Sequence, residues 1–240
     1  MSLPRLGLFG KGRLASAIAL EAGAELVWQV GRGEVPPAPV DVAIDASGAE
    51  ALGSHLAWAL DTGTDLVIGT TGWTMPDLAS RAGQRIGVLT ASNFSLTVAL
   101  MARLSLVMGR FAALDLARDP FLLERHHRLK ADAPSGTAKT LAAALMAGCS
   151  RKTEWTLGTP APHQLSVGVV RAGAEFGTHT VGLDAPSEVL TLTHTARSRA
   201  PFAQGALAAA QWLQGRKGLF TMDDLATDLL DPLFAFGGKS

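Results

Sequence analysis

Residues 124–140, ERHHRLKADAPSGTAKT, crowd two histidines, two lysines and two arginines beside a Ser-Gly-Thr triplet. Imidazoles exchange protons near neutral pH, and ammonium and guanidinium groups bind anions. The run follows a strand-like FLLE and leads into GTAKTLAAALMA, a string of strong helix formers preceded by Pro134. Ser135, Gly136 and Thr137 are therefore expected at a helix N-terminus, whose free N–H groups and hydroxyls make a place for a carboxylate. His126 is the candidate proton donor, and His127 and Lys130 add donors or positive charge beside it. This combination points to an anionic substrate that is protonated during reaction. The plainer alternative is a surface cluster of solvated charge. A zinc site from Glu124, His126 and His127 is disfavoured, because adjacent strand residues face opposite sides and no distant His/Cys set at metal spacing accompanies them; no metal is expected.

A second stretch with chemistry is LFGKGRLASAIA, in which Gly10, Gly12 and Ala15 have the G-x-G-x-x-A spacing between a first strand and a first helix. The first glycine permits the tight turn, the second lets the backbone approach a pyrophosphate, and the small third residue lets helix and strand close up. Neither GKGR nor GTAKT supplies a P-loop. At the end of the second strand the chain reads WQVGRGE, without the carboxylate that usually accepts from the ribose 2′-hydroxyl of NAD. Gly31 followed by Arg32 removes a repelling charge and supplies a guanidinium for a 2′-phosphate. NADPH is the preferred cofactor and NADH remains possible, with Glu34 as the alternative ribose partner.

These two stretches need a scaffold, and composition restricts it. Hydrophobic residues make up 48% and charged residues 18% of 240 residues, which describes a folded globular chain of one large domain or two small ones. Lys+Arg and Asp+Glu balance at 21 each, and no basic run is interleaved with aromatics, so nucleic acid is not an expected partner. Cys149 is the only cysteine, which excludes an intramolecular disulfide. The opening MSLPRLGLFG shows no charged-then-apolar leader, and no stretch approaches the roughly 18 uncharged apolar residues of a membrane span. A cytoplasmic location without membrane attachment is the expectation.

Along the first half, RLGLF, ELVWQV, VDVAIDAS, DLVIG and IGVLT read as short strands, with helices from about Arg13, through His55 and Leu60, and near Asp77 to Arg81. That alternation predicts parallel pairing through right-handed crossovers. Residues 96–117 read as one long helix, nearly all-round apolar and hence buried on most sides. FLLE, QLSVGVVRAG, THTVGL and EVLTLTHT follow as strands, the last three expected to form an antiparallel meander, with His179 and His194 as core or interface residues. Helices over 202–213 and 221–230 are expected to return to the first sheet. The fold class is α/β: a Rossmann-like parallel sheet domain plus a smaller α+β domain with an open mixed sheet.

The order of motifs resembles one family. ERHHRLKADAPSGTA is similar to the signature of the 4-hydroxy-tetrahydrodipicolinate (dihydrodipicolinate) reductases of bacterial lysine and diaminopimelate synthesis. GTTGW (69–73), ASNFS (91–95), VRAG with GTHT (170–180) and HTARSRAPFAQGAL (194–207) resemble its other blocks in the same order. The resemblance implies a dinucleotide-binding domain of residues 1–95 and 200–240, and a substrate-binding and oligomerisation domain of residues 96–199, with hinges near Ser95 and Arg199. It implies His126 as proton donor or acceptor and Lys130 as second proton donor. His127, Ser135, Gly136 and Thr137 would hold the carboxylates of a small dicarboxylate substrate. Gly10, Lys11, Gly12, Arg13, Leu14 and Arg32 would form the cofactor loop, Gly69, Thr70 and Thr71 would lie along the dinucleotide, and Ala91, Ser92, Asn93 and Phe94 would lie near its nicotinamide. A homotetramer built through the middle-domain sheet is implied as well. The glycine loop departs from the family by one residue, and Gly31 stands where many members carry an acid. The competing readings are another NADP-linked dehydrogenase of a small amino or hydroxy acid, and a non-catalytic NADP-sensing regulator.

Overall fold

The computed structural model describes residues 3–235 and divides into two compact units, residues 1–96 with 199–240 and residues 97–198. The first unit is built on a six-stranded, all-parallel sheet. Its strands are β1 (Leu6–Phe9), β2 (Leu26–Val30), β3 (Val42–Asp45), β4 (Asp65–Ile68), β5 (Gly87–Thr90) and, from the chain's far end, β11 (Gly218–Thr221). Their order is β11-β5-β4-β3-β1-β2. The central strands β1, β3 and β4 are buried at every position, as expected of a parallel sheet covered on both faces. One face packs against α1 (Arg13–Ala22) and α6 (Ala200–Leu213) through Leu6, Leu8, Ile44, Val67, Leu89 and the alanines of α6. The other packs against α2 (Leu52–Thr62) and α3 (Leu78–Ala82) through Phe9, Trp28, Leu56, Leu66 and Ile86.

The strand β11 is absent from the sequence expectation, being a four-residue run whose burial alternates only weakly. Buried Asp65 joins it to the body of the unit. Its carboxylate accepts from Gly87 N at 2.7 Å, Gly215 N at 2.8 Å and Lys217 Nζ at 3.1 Å. The return of the C-terminal segment is thereby locked by one charge, and α7 (Met222–Leu230) follows on a Thr221/Asp224 capping box.

The second unit holds a five-stranded mixed sheet of β6 (Asp119–His126), β7 (Glu154–Thr156), β8 (Gln164–Arg171), β9 (Gly177–Ala185) and β10 (Glu188–Ala196). The order β10-β9-β6-β8-β7 corrects the expected meander. β9 and β10 do form an antiparallel hairpin, but β6 lies between β9 and β8, pairing antiparallel with the former and parallel with the latter. Proximity in sequence suggested that β8 and β9 are neighbours. The parallel β6–β8 pairing instead needs a long crossover, and α5 (Gly136–Gly148) with β7 supplies it.

The long helix α4 (Leu96–Ala113) ends four residues before the predicted limit and is not buried on most sides. One third of its residues are buried, namely Val98, Met101, Ser105, Met108, Gly109 and Ala112. Its 18 residues and mean hydropathy of 1.5 suffice to cross a membrane by length and composition, contrary to the expectation that no stretch would. The helix carries Arg103 and Arg110, and Met101, Met108 and Ala112 join Leu122, Leu141, Leu145, Val167 and Val181 in the core of the second unit.

Candidate active site

In the first unit the turn after β1 is made by Gly10, at φ +115°, a conformation that side-chain-bearing residues rarely adopt. A side chain there would also run into the carbonyl of Ala46. At Gly12, by contrast, a Cβ would meet nothing within 4 Å, and this residue caps α1 with no side-chain hydrogen bond and no acidic residue in the first turn. The helix thus starts without a side-chain cap or an acidic first turn and beside open space at Gly12, an arrangement suited to a pyrophosphate. A cavity of 730 Å³ opens here, lined by Gly10, Lys11, Gly12, Arg32, Ser47 and His55 among others. Size, glycine cradle and cationic rim fit a dinucleotide.

The cations of that rim are partly engaged. Lys11 Nζ lies 2.7 Å from Glu34, whose carboxylate also accepts from Gly31 N at 2.7 Å; the Lys11 and Gly31 hydrogen bonds hold the Glu34 carboxyl below its usual range. Arg32 is almost fully exposed and reaches Glu50 at only 3.6 Å. Arg13 and Leu14 sit on the first turn of α1, the former exposed, the latter packed toward the core, and neither lines the cavity.

Gly69, Thr70 and Thr71 follow β4, and Ala91 to Phe94 follow β5, so both blocks lie at carboxyl ends of strands, where ligands of open α/β sheets bind. Their side chains divide. Thr70 Oγ1 donates to Asp45 at 2.6 Å and accepts from Ser47 N at 3.0 Å, while Thr71 is exposed. Ala91 and Phe94 are buried in the core around α6, Ser92 is exposed, and half-buried Asn93 accepts from Ser95 N on its Oδ1 at 2.9 Å.

Asp45 and His55, which the sequence reading passed over, organise the cavity wall. The carboxylate of Asp45 is inaccessible to solvent and receives Ser47 N, Ser47 Oγ and Thr70 Oγ1 on Oδ1, and His55 Nδ1 at 2.6 Å on Oδ2. Burial pushes its pKa up, but the donors from His55, Thr70 and Ser47 outweigh that and hold it below the usual carboxylate range. Phe9 stacks on the His55 ring at 3.9 Å.

In the second unit the cluster lies at the end of β6. His126 is its last residue and is buried; His127 is half-buried just beyond, its N–H donating to Glu175 O at 2.9 Å. Lys130 pairs with Asp132 at 2.7 Å, a bond that holds the Asp132 carboxyl below its usual range. α5 begins as expected: buried Ser135 is its N-cap, with Oγ accepting from Ala138 N at 3.1 Å, Gly136 is exposed and Thr137 half-buried.

Below these residues sits Glu124, 1% exposed. Its Oε1 accepts from Ser135 N at 3.0 Å and Arg171 Nη2 at 2.6 Å. Its Oε2 lies 3.5 Å from both His126 Nδ1 and His179 Nε2 and has no hydrogen-bond partner among the described residues. Burial pushes the Glu124 pKa up, yet Ser135 and Arg171 pull it below the ordinary value. Burial pushes His126 down, opposed by Glu124 and reinforced by Lys130 and Arg171. His179 is pushed down to about 4, by burial first and the neighbouring His126 second.

The zinc trio weighed from sequence is not the one assembled: His179 takes the place of His127, and the donor atoms of Glu124, His126 and His179 lie within 4.8 Å of one another. The Arg171 guanidinium on the same carboxylate disfavours a cation there. His179, expected in the core or an interface, is buried but shares a hydrogen bond of 3.2 Å with Ser135 Oγ, and so belongs to the site. The signal available in the sequence was its alternation with Val181 and Leu183 on one strand face.

Two family models cover most of the chain. One, described as dihydrodipicolinate reductase, N-terminus, matches residues 12–94; the other, described as dihydrodipicolinate reductase, C-terminus, matches residues 95–226. A 4-hydroxy-tetrahydrodipicolinate reductase of Gluconobacter oxydans is 38% identical over 244 residues, spanning 93% of this chain and 97% of the relative. The reductase of that name from Magnetococcus marinus is 37% identical over 77% of this chain and 72% of its own. Among solved structures, the dipicolinate-bound dihydrodipicolinate reductase from Paenisporosarcina sp. TG-14 shares the fold, with a TM-score of 0.73 at 20% identity over 92% of this chain and 98% of that one. The chain belongs to the dihydrodipicolinate reductase family.

Proposed function

We propose that this protein is a 4-hydroxy-tetrahydrodipicolinate reductase, using NAD(P)H to form tetrahydrodipicolinate in lysine and diaminopimelate biosynthesis. The observation that carries the assignment of chemistry to residues is the buried Glu124–His126–His179 cluster beside the Ser135 helix start. A protein that only sensed NADP would need the Gly10/Gly12 cavity but would gain nothing from buried, incompletely paired imidazoles and carboxylate.

When bound, the nicotinamide would supply a hydride. In the second unit, the N–H groups and hydroxyls of Ser135, Gly136 and Thr137, with His127, would hold the substrate carboxylates and orient the substrate ring. His126 gives a proton to the position where negative charge develops, and Lys130 is the second donor; general acids of this kind contribute about 10²–10⁴-fold. Lys130 leaves its pairing with Asp132 to act.

NADPH is the preferred cofactor. Glu34 is already neutralised by Lys11, so a 2′-phosphate meets Lys11 and nearly free Arg32 rather than a bare carboxylate. NADH use follows where Glu34 turns to the ribose hydroxyl instead. The open face of the second sheet, with Leu123, Val170 and Val189 each about half exposed, suits a homotetramer built through that sheet. A cytoplasmic enzyme with one buried, unpaired Cys149 agrees with this reading.

The test is NADPH oxidation followed by absorbance, with substrate generated by the preceding synthase. Turnover with that substrate is the expected result. No oxidation with it, alongside turnover of another amino or hydroxy acid, overturns the reading.

A further inference from the structure

We propose that Glu124 is a positioning residue: its Oε2 keeps the proton of His126 on Nδ1, so that Nε2 is the atom that exchanges a proton. The proposal rests on the reading of His126 as the proton donor.

The geometry leads there in three steps. The Glu124 carboxylate is saturated on one oxygen only, by Ser135 N–H and Arg171, and its second oxygen faces one nitrogen of each imidazole at 3.5 Å. A buried carboxylate is an acceptor alone, so an imidazole nitrogen facing it is stable only when it carries hydrogen. For His126 the facing nitrogen is Nδ1, which has no other partner among the described residues. The opposite nitrogen, Nε2, lies beside Gly177, where a Cβ would come within 2.7 Å, so the glycine keeps a side chain from crowding that nitrogen.

The same rule applied to His179 places its hydrogen on Nε2, which lies 3.2 Å from Ser135 Oγ. Ser135 Oγ also accepts from Ala138 N. The Ser135 side chain also hydrogen-bonds the Glu124 carboxylate and helps to hold its pKa down. The buried carboxylate thus sets the tautomer of both imidazoles.

The proton step balances simply. The Nε2–H bond of the His126 imidazolium breaks, its electron pair stays on Nε2, and the proton bonds to the substrate atom made electron-rich by hydride addition. The neutral ring remaining is the Nδ1–H tautomer, still facing Glu124, and solvent returns the proton to Nε2. The charged or titratable groups facing His126 are Glu124 on β6, Lys130 and Asp132 in the loop after it, Arg171 at the end of β8, Glu175 before β9 and His179 on β9. Lys130, Arg171 and a protonated His179 oppose the imidazolium; Glu124 is the buried negative charge that favours it.

Glu124→Gln keeps an oxygen for Ser135 N–H and Arg171 but removes the charge. Expected are a fall in kcat of about 10–100-fold, a substrate KM changed less than about threefold, and an alkaline limb of the kcat profile moved down by about one pH unit. An unchanged kcat and an unchanged alkaline limb overturn the proposal. His126→Asn run in parallel separates the two failures: wild-type turnover in that variant removes the proton-donor reading and the positioning role with it, whereas an inactive His126→Asn beside an unaltered Glu124→Gln removes the positioning role alone. Should Glu124→Gln not fold, nitrogen chemical shifts of histidine-labelled wild type decide: neutral His126 protonated on Nδ1 supports the proposal, and protonation on Nε2 overturns it.

Discussion

Asp45 and Glu124 are both buried carboxylates held below their usual pKa range, one in each unit, and they differ in how completely they are satisfied. Asp45 has donors on both oxygens, from Ser47, Thr70 and His55. Glu124 has two donors on one oxygen, and among the described residues the other makes no hydrogen bond and has only two imidazole nitrogens at 3.5 Å. A finished network rigidifies a loop; an unfinished one in a buried place destabilises the fold and persists where chemistry uses it. The cavity beside Gly10 and Gly12 accordingly presents backbone shape and exposed cations around a satisfied hub, while the end of β6 gathers incompletely paired groups.

The contrast breaks first at His126. Replacing it by Asn removes the proposed proton donor and should lower kcat about 10²–10⁴-fold with NADPH affinity unchanged, measured by steady-state kinetics and cofactor titration. A comparable loss from Asp45→Asn would erase the distinction between the two carboxylates.

Stability gives the next largest effect. Asp65→Ala removes the acceptor of Gly87 N, Gly215 N and Lys217 and should destabilise the first unit by about 3 kcal/mol in denaturant unfolding. Of similar size is a pH effect in the second unit. The folded pKa of His179, about 4, lies below its ordinary value of 6.5, so the unfolded chain binds more protons in between. Stability is therefore present above about pH 6.5 and lost as pH falls toward 4, by on the order of 3 kcal/mol. His179→Gln should flatten that stretch of the stability curve; an unaltered slope would show that the imidazole is not held neutral.

The smallest expected effect belongs to the exposed rim. Arg32→Ala should raise the NADPH KM about tenfold and leave the NADH KM within about twofold, as measured with both cofactors. Equal effects on the two would place the 2′-phosphate elsewhere.

The same contrast explains what could be read from sequence. The β1 turn, the α5 start and the parallel alternation were legible because local chemistry decides them: glycine spacing, a Ser-Gly-Thr cap and apolar runs at strand length. The pairing of β8 was not, because parallel neighbours are set by long crossovers that leave no local mark. β7 and β11, at three and four residues, are too short to show a period. α4 read as buried because its composition is apolar, yet a third of it supplies the stripe that its core needs. Ala91 and Phe94 were named from a motif, but the sheet turns them into the core. Glu124 and His179 acquire meaning only from each other, across an antiparallel strand pair 55 residues apart in the chain, by 179 minus 124.

The most direct test of the central claim, that the start of α5 and the end of β6 together hold and protonate an anionic substrate, is a crystal structure of the protein with NADPH and pyridine-2,6-dicarboxylate. The account predicts a carboxylate on the Ser135–Thr137 N–H groups with His126 Nε2 toward the ring. A dicarboxylate bound away from these residues, or an imidazole turned from it, would contradict the account.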